Sequence, residues 1–250
     1  MRIPTMNETE PILTTWAIEV EALCKSFGNN RALSDIDLKV GRGEHVTVFG
    51  PNGAGKTTLI KILSTLSKPS SGTVRLDGED IRNDPVRIRR RISLVGHETF
   101  LYDDLTVYEN LRFYGKMYDV PDLEEHIHEV LSRVRLKSRL HDRVGILSHG
   151  MQQRVSIARA MIHNPSIVFL DEPEVGLDPQ AVTMLRDVLK SINTPERTIL
   201  MATHNLKQGI EMGDRVVILN RGRIVYQASR EEIDTASFQE IYEHYTGTGE

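Results

Sequence analysis

The chain has 250 residues, of which 39% are hydrophobic and 26% are charged, and its formal net charge is −4. This small net charge excludes a bulk electrostatic attraction to nucleic acid or anionic lipid, so any polyanion must be bound locally. A single cysteine, Cys24, excludes a disulfide framework, and the lack of any run of 18 apolar residues excludes a membrane-spanning helix.

The N-terminal part of the chain is expected to form a leader followed by two antiparallel strands. Residues 1–17 contain acidic residues and prolines without a continuous apolar run, so we expect a flexible leader and no signal peptide. Residues 17–27 and 33–40 alternate apolar and polar side chains, which is typical of half-buried strands. The segment "GNNR" between them has the composition of a turn.

The next predicted element is a buried strand that leads into a glycine-rich loop. The short run "EHVTVFG" is typical of a strand buried on both faces of a parallel sheet. It continues into "GPNGAGKTT", which matches the phosphate-loop pattern G-x-x-x-x-G-K-[ST]. In that pattern backbone N–H groups bind phosphate oxygens, the lysine reaches the β- and γ-phosphates, and the threonine ligates Mg²⁺. The predicted nucleotide site consists of Gly50, Pro51, Asn52, Gly53, Ala54, Gly55, Lys56, Thr57 and Thr58.

The middle of the chain is predicted to be mainly helical. Helical patterns cover "GKTTLIKILSTL", "DLEEHIHEVLSRVRL", "MQQRVSIARAMIH" and "QAVTMLRDVLKSIN". Residues from about 98 to about 164 lack a central strand pattern, so we expect a helical lobe inserted into the sheet domain. Residues 236–250 are expected to form a C-terminal helix and a tail.

A second buried strand, "SIVFLDEP", ends in two adjacent carboxylates. Because strands alternate with helices, we expect an α/β sheet that binds ligands beyond the carboxyl ends of its strands. Burying Asp171 and Glu172 there is costly unless cation or proton chemistry uses them. We expect Asp171 to hold Mg²⁺ through a water molecule and Glu172 to act as general base on the attacking water. The alternative is a purely structural helix cap.

The stretch "LSHGMQQR" completes a pattern that resembles the signature of ABC-type ATP-binding subunits. The family consensus is L-S-G-G-Q, from which this chain departs at His149 and Met151. The retained Ser148 hydroxyl and Gly150 amide are the groups suited to grip a γ-phosphate. The resemblance covers about residues 18–235. It implies an α/β fold with a P-loop NTPase sheet core, an antiparallel β edge and the inserted helical lobe.

The same resemblance implies roles for three further residues. The segment "EVGLD" ends in Asp178 and resembles the family's D-loop. The segment "MATH" places His204 at a strand end, where the family keeps a switch histidine that hydrogen-bonds the γ-phosphate. Phe27 matches the aromatic residue that stacks on adenine, and the alternative is an ordinary core aromatic.

The resemblance also implies that one chain is half of a catalytic unit, with ATP and Mg²⁺ as cofactors. In the family, ATP is held between the phosphate loop of one subunit and the signature of the other, here Lys56 and Ser148. We therefore expect the chain to pair with a second ATP-binding subunit as a homodimer. The dimer should form when ATP binds and dissociate when ATP is hydrolysed. Because the chain has no membrane span, we expect it to act peripherally at the cytoplasmic face of the cell membrane. Its expected partners are integral membrane subunits of an ABC transporter, and nucleic acid is not expected to bind.

His97, in the coupling loop "LVGHETF", stands where the family usually has a glutamine. This histidine, followed by "LT" and "ENLRF", resembles the ATP-binding subunits of haem exporters of cytochrome c maturation, so haem export is the expected function. ATPases of drug, polysaccharide or lipid exporters share "LT...ENL" and remain the alternative. Because Mg²⁺ prefers oxygen to imidazole nitrogen, we expect His97 to contact the site through water or to face the membrane partner.

Two other classes of protein share parts of this pattern. Non-transport ABC ATPases that act on nucleic acid or ribosomes usually have two ATPase units, long coiled coils or zinc-binding insertions, none of which the sequence contains. Small-molecule kinases also use a phosphate loop, but the signature and the switch histidine disfavour that class.

Overall fold

The computed structural model describes residues 15–234 and 237–247. The strands are β1 (Trp16–Phe27), β2 (Asn30–Gly41), β3 (His45–Phe49), β4 (Ser71–Leu76), β5 (Glu79–Asp80), β6 (Ile92–Val95), β7 (Ile167–Asp171), β8 (Thr198–Ala202), β9 (Arg215–Asn220) and β10 (Arg223–Ser229). The α-helices are α1 (Lys56–Leu63), α2 (Pro85–Arg89), α3 (Val107–Met117), α4 (Leu123–Arg133), α5 (His149–Met161), α6 (Pro179–Ile192), α7 (Leu206–Met212) and α8 (Phe238–Thr246). Within the described ranges, no helix combines the length and apolarity needed to cross a bilayer.

The strands form two sheets, which confirms the predicted combination of a parallel core and an antiparallel edge. The larger sheet has the order β10-β9-β3-β8-β7-β6, in which only the β9 and β10 pair is antiparallel. Every residue of β3, β7 and β8 is buried, as the short apolar runs of β3 and β7 predict. The smaller sheet has the order β2-β1-β4-β5 and is antiparallel throughout.

Strand β7 separates two hydrophobic cores because its side chains alternate between them. Ile167 and Phe169 face a core shared with both sheets and α1. Val168 and Leu170 face a second core shared with α3, α4 and α5. These three helices lie between β6 and β7, in the region where the sequence predicts a helical lobe. The carboxyl end of β7 is thereby fixed on both faces.

The elements at the chain ends differ in extent from the predicted segments. β1 begins at Trp16, which falls inside the range 1–17 predicted as a leader, and residues 1–14 of that range lie outside the described residues. α8 lies within the range 236–250 predicted as a C-terminal helix and tail, and residues 236 and 248–250 of that range lie outside the described residues. α1 ends at Leu63, three residues before the end of its predicted pattern.

His45, at the start of β3, is a fully buried histidine. Neither of its ring nitrogens has a hydrogen-bond partner in the described part of the chain. Burial lowers the pKa of the imidazole from its usual value of 6.5 to about 4, against an opposing effect of the nearby Asp214 carboxylate. The native state therefore holds His45 neutral.

We expect this histidine to reduce stability in acid. Between pH 6.5 and about 4 the unfolded chain binds a proton on His45 that the native state cannot bind. The free energy of unfolding should therefore fall by about 3 kcal/mol across this window. Urea unfolding at a series of pH values should show a shallower acid loss in His45→Leu. The exposed His128→Leu on α4 is the control and should keep the wild-type slope; an unchanged slope in His45→Leu would contradict the prediction.

Candidate functional site

The predicted phosphate loop connects the end of β3 to the start of α1 and closes against neighbouring backbone. Gly50 and Gly55 have φ angles of 159° and 110°, which favour glycine. A Cβ atom on Gly50 would lie 2.3 Å from the carbonyl oxygen of Leu219. A Cβ atom on Gly55 would lie 2.7 Å from that of Ala32. Only glycine fits these two places, so the loop packs directly against the backbone of Leu219 and Ala32.

Lys56 lies in the first turn of α1 with a side chain that is 5% exposed. Its Nζ donates to the carbonyl oxygens of Gly50 at 2.7 Å and Pro51 at 3.2 Å. The same atom lies 3.2 Å from Oε1 of Glu172. Because an ammonium binds phosphate oxygens at least as well as carbonyl oxygens, Lys56 can exchange these partners for a phosphate at the helix N-terminus.

Strand β7 delivers Asp171 and Glu172 to the same edge of the sheet as the phosphate loop. Thr57 Oγ1 donates to Asp171 Oδ1 at 3.2 Å. Burial raises the pKa of the Asp171 carboxyl, and the hydrogen bond from Thr57 opposes that rise. Glu172 has a φ of 49°, a conformation that residues with side chains rarely adopt. Such strained positions concentrate at functional sites, and this one turns the carboxylate toward Lys56.

His204 follows β8 and faces the second oxygen of Glu172. Its Nδ1 lies 3.4 Å from Oε2 of Glu172, and its side chain is 56% exposed. The two residues meet because β7 and β8 are adjacent parallel strands whose carboxyl ends share one edge. Glu172 therefore lies between an ammonium and an imidazole, with one carboxylate oxygen toward each.

A cavity of about 640 Å³ opens in front of the loop. Its lining consists of Phe27, Asn30, Arg31, Ala32, Asn52, Gly53, Ala54, Gly55, Lys56, Thr57, Thr58, Glu172, Arg221 and Gly222. Phe27 is 56% exposed, so it is not a core aromatic. An exposed aromatic ring beside a phosphate loop is suited to stacking on a purine base.

Two arginines in the cavity lining are not apparent from the sequence as site residues. Arg31 lies at the start of β2, and Arg221 lies in the turn between β9 and β10. Arg31 follows Phe27 closely in the chain, which is the signal that points to it. Arg221 reaches the cavity only because β9 pairs with β3, a long-range contact that local patterns do not reveal.

Ser148, Gly150 and Asp178 do not line the phosphate cavity. Ser148 caps α5, where its Oγ accepts from the Met151 amide at 3.3 Å, and Asp178 caps α6. A Cβ atom on Gly150 would lie 2.8 Å from the Cβ of Ala181, so α5, which begins within the signature segment, is in close contact with α6. The described residues around the cavity include none of these three. One chain therefore does not bring its signature to its own phosphate loop.

His97 lies just after β6 and is exposed, with 61% of its side chain open to solvent. Its Nε2 is 3.8 Å from Oε1 of Glu98. Together with Asp171 and Gly96 it borders a hollow of about 40 Å³. The imidazole is thus near the carboxylate edge while it remains accessible from outside.

The sheet order and the cavity in front of the phosphate loop define a P-loop nucleoside triphosphatase. A family model described as ABC transporter matches residues 33–175. The chain is 34% identical over 206 residues to the ABC transporter ATP-binding protein NatA of Bacillus subtilis (strain 168), which covers 81% of this chain and 84% of that protein. The chain belongs to the ABC transporter family as an ATP-binding subunit, and it is an ATPase.

A second relative and a solved structure extend the comparison. Daunorubicin/doxorubicin resistance ATP-binding protein DrrA of Streptomyces peucetius is 33% identical over 224 residues, which cover 89% of this chain and 68% of that protein. The dimeric structure of a post-hydrolysis state of the ATP-binding cassette MJ0796 bound to ADP and Pi has a TM-score of 0.78 and 27% identity. That match covers 86% of this chain and 100% of the other.

Proposed function

We propose that the chain is the ATP-hydrolysing subunit of an ABC transporter and that it dimerises on ATP to drive membrane partner subunits. The position of Glu172 between Lys56 and His204, at the edge of the cavity, carries this proposal. Membership of the ABC transporter family supports the coupling of hydrolysis to transport.

ATP binding is proposed to use both ends of the cavity. The adenine stacks on Phe27, and the triphosphate lies in the loop of residues 50–58, where backbone N–H groups and the N-terminus of α1 face it. Lys56 then leaves the carbonyl oxygens of Gly50 and Pro51 for the β- and γ-phosphates. Phosphate oxygens thus take the place of the two carbonyl oxygens as acceptors for Lys56.

Hydrolysis is proposed to use Glu172 as the general base. Its Oε1 lies 3.2 Å from Nζ of Lys56, which keeps the carboxylate at the edge of the cavity. Movement of Lys56 to the phosphates leaves Oε1 free to accept a proton from the attacking water. His204, beside Oε2, is placed to donate a hydrogen bond to the γ-phosphate.

Mg²⁺ fits the pair formed by Thr57 and Asp171. Oγ1 of Thr57 and Oδ1 of Asp171 lie 3.2 Å apart, and both are the hard oxygen ligands that Mg²⁺ prefers. One or two protein ligands suffice, because phosphate oxygens and water complete the usual coordination. We propose that Thr57 ligates the ion directly and Asp171 through water. The ion supplies charge neutralisation on the phosphates when it is bound.

The second half of the catalytic unit is proposed to come from a second copy of the chain. Ser148 and Asp178 are exposed and lie outside the cavity of their own chain. Ser148 Oγ acts as acceptor toward Met151, which leaves its hydroxyl proton available for a γ-phosphate oxygen of the partner's ATP. The similarity to the dimeric MJ0796 cassette bound to ADP and Pi supports this arrangement.

Membrane subunits are proposed to dock in a groove beside the His97 loop, which would hold the chain at the cytoplasmic face of the membrane. The groove has a volume of about 220 Å³. Its lining includes Leu66, Leu94, Phe100, Tyr114, Tyr118 and Arg159. Leu66 is 59% exposed and Phe100 is 43% exposed. Large apolar side chains that remain open to solvent in a group mark interaction sites.

Leu66→Asp should prevent docking, because a carboxylate in an apolar interface loses its hydration without gaining a partner. We expect at least about 10-fold less membrane subunit to be recovered with the variant when it is co-expressed with candidate membrane subunits. Met184→Asp, on the exposed face of α6 outside the groove, is the matched control. Equal recovery with both variants would reject this docking surface.

Haem export for cytochrome c biogenesis is the proposed cargo function. It rests on the resemblance carried by His97 and the segment "LTVYENLRF". The relative DrrA, whose name specifies daunorubicin and doxorubicin resistance, favours a second candidate, an exporter of drug-like molecules. Deletion of the gene should abolish covalent haem attachment to c-type cytochromes if the cargo is haem. Normal c-type cytochromes together with increased drug sensitivity would support the second candidate instead.

A further inference from the structure

Glu174 is a buried carboxylate two residues beyond Glu172, and its role is not explained by nucleotide contact. It is 7% exposed and does not line the cavity among the described residues. Its Oε1 accepts a hydrogen bond from Thr203 Oγ1, and its Oε2 has no partner in the described part of the chain. Burying a carboxylate with one unpaired oxygen is costly, so its one side-chain hydrogen bond calls for an explanation.

That contact fixes the residue that immediately precedes His204. Thr203 is 1% exposed, and its amide donates to the carbonyl oxygen of Val48 in β3. Its Oγ1 also accepts from the backbone N–H of Asn205 at 2.9 Å. One hydroxyl therefore bonds to the residue after His204 and to Glu174 at once, so the backbone on both sides of His204 is held.

The contact also joins the two loops that carry Glu172 and His204. The amide of Glu172 donates to the carbonyl oxygen of Ala202 at 2.9 Å, which connects the loops at one point. The bond from Thr203 to Glu174 connects them at a second point. This second bond lies beyond the last paired residues of β7 and β8, so it restrains the two loops past the end of the ladder.

Orientation matters here because the His204 side chain has few constraints of its own. The imidazole is 56% exposed, and its charged neighbour among the described residues is Glu172, whose Oε2 lies 3.4 Å from Nδ1. An exposed side chain samples several rotamers unless its backbone and neighbours restrict it. The second connection between the loops supplies part of that restriction.

We propose that Glu174 is a positioning residue for ATP hydrolysis: through Thr203 it holds His204 against Glu172. The inference rests on the proposed function, since it takes Glu172 and His204 as the groups that act on the γ-phosphate and the water. Glu174 itself touches neither nucleotide nor water in this scheme. Its removal should therefore lower the rate of the chemical step without weakening ATP binding.

The test compares variants that break the bond with variants that keep it. Glu174→Leu removes the acceptor and Thr203→Val removes the donor. Each variant should lower kcat by about 10-fold and change KM by less than about 2-fold, because small misplacements of reacting groups have effects of this order. Glu174→Gln retains an acceptor oxygen and Thr203→Ser retains the hydroxyl, so both should keep kcat within about 2-fold of wild type.

A double-mutant cycle separates positioning from general destabilisation. In a His204→Ala background, Glu174→Leu should have no further effect on kcat, because the residue it positions is already absent. A further loss of about 10-fold in that background would reject the proposal, and so would equal losses in kcat and in ATP affinity. Wild-type kcat in both Glu174→Leu and Thr203→Val would also reject it. Failure of the proposed function is recognised separately: Glu172→Gln and His204→Ala would then themselves hydrolyse ATP at the wild-type rate.

Discussion

Replacement of Glu172 by glutamine should lower the rate of ATP hydrolysis by about 100-fold to 10,000-fold, the range that a general base contributes. Glutamine has the same shape and can still accept a hydrogen bond from Lys56, which lies 3.2 Å from Oε1. It cannot take a proton from water. The substitution therefore removes the proposed chemistry and leaves the packing of the loop unchanged.

ATP binding should persist in this variant, because the phosphate loop and the cavity lining keep their other members. If ATP bridges two chains, the Glu172→Gln variant should accumulate as a dimer in the presence of ATP and Mg²⁺, since the γ-phosphate is no longer removed. Gel filtration with ATP and a phosphate-release assay would measure the two effects. Glu125→Gln, an exposed carboxylate on α4, is the control and should remain active and return to a monomer after turnover.

Wild-type phosphate release by Glu172→Gln would mean that another group accepts the proton. His204 is the neighbour that this result would implicate, because its Nδ1 is 3.4 Å from the same carboxylate. Loss of both ATP binding and hydrolysis would instead mean that the ion pair between Glu172 and Lys56 is needed to keep the phosphate loop in its binding conformation. The two measurements together therefore distinguish a chemical role of Glu172 from a structural one.

Local sequence patterns predict the parts of the site that lie within one strand, loop and helix. The loop from Gly50 to Thr58 follows from one motif, because its strand, its glycines and its helix are consecutive in the chain. The apolar run before Asp171 likewise predicts a buried strand and the edge at which its carboxylates emerge. Between β6 and β7, the periodicity predicts α4 and α5 for the same reason, whereas α3 has no predicted pattern of its own and falls only within the region expected to be mainly helical.

Long-range contacts are what the sequence does not reveal. β6 has only four residues, and β9 and β10 carry no motif, yet β9 brings Arg221 to the cavity by pairing with β3. The bond between Thr203 and Glu174 depends on the pairing of β7 with β8 and has no local signal. The transported molecule does not follow from the nucleotide site, because the same groups serve any cargo. Only His97 and its flanking segment distinguish subfamilies.

Replacement of Lys56 by methionine should reduce ATP hydrolysis by about 100-fold to 1,000-fold, the loss found when one preorganised donor to developing charge is removed. ATP affinity should fall by about 10-fold to 100-fold, from lost charge-assisted hydrogen bonds worth about 1.5–3 kcal/mol. Methionine is unbranched and fills the 5% exposed site, so a folding defect is not expected. An ATP titration and a phosphate-release assay would measure both effects. Lys61→Met, an exposed lysine in the last turn of α1, is the matched control.

The double variant Lys56→Met/Glu172→Gln decides the order of the two roles. If Lys56 must hold the phosphates before a second chain can bind them, the double variant should stay monomeric at ATP concentrations that make Glu172→Gln dimeric. An ATP-dependent dimer of the double variant would show that the phosphate loop holds ATP without its ammonium. In that case the main role of Lys56 would be structural: its contacts with Gly50, Pro51 and Glu172 would serve to order the phosphate loop. Because glutamine at 172 already blocks hydrolysis, the comparison reports binding alone and is independent of the rate of the chemical step.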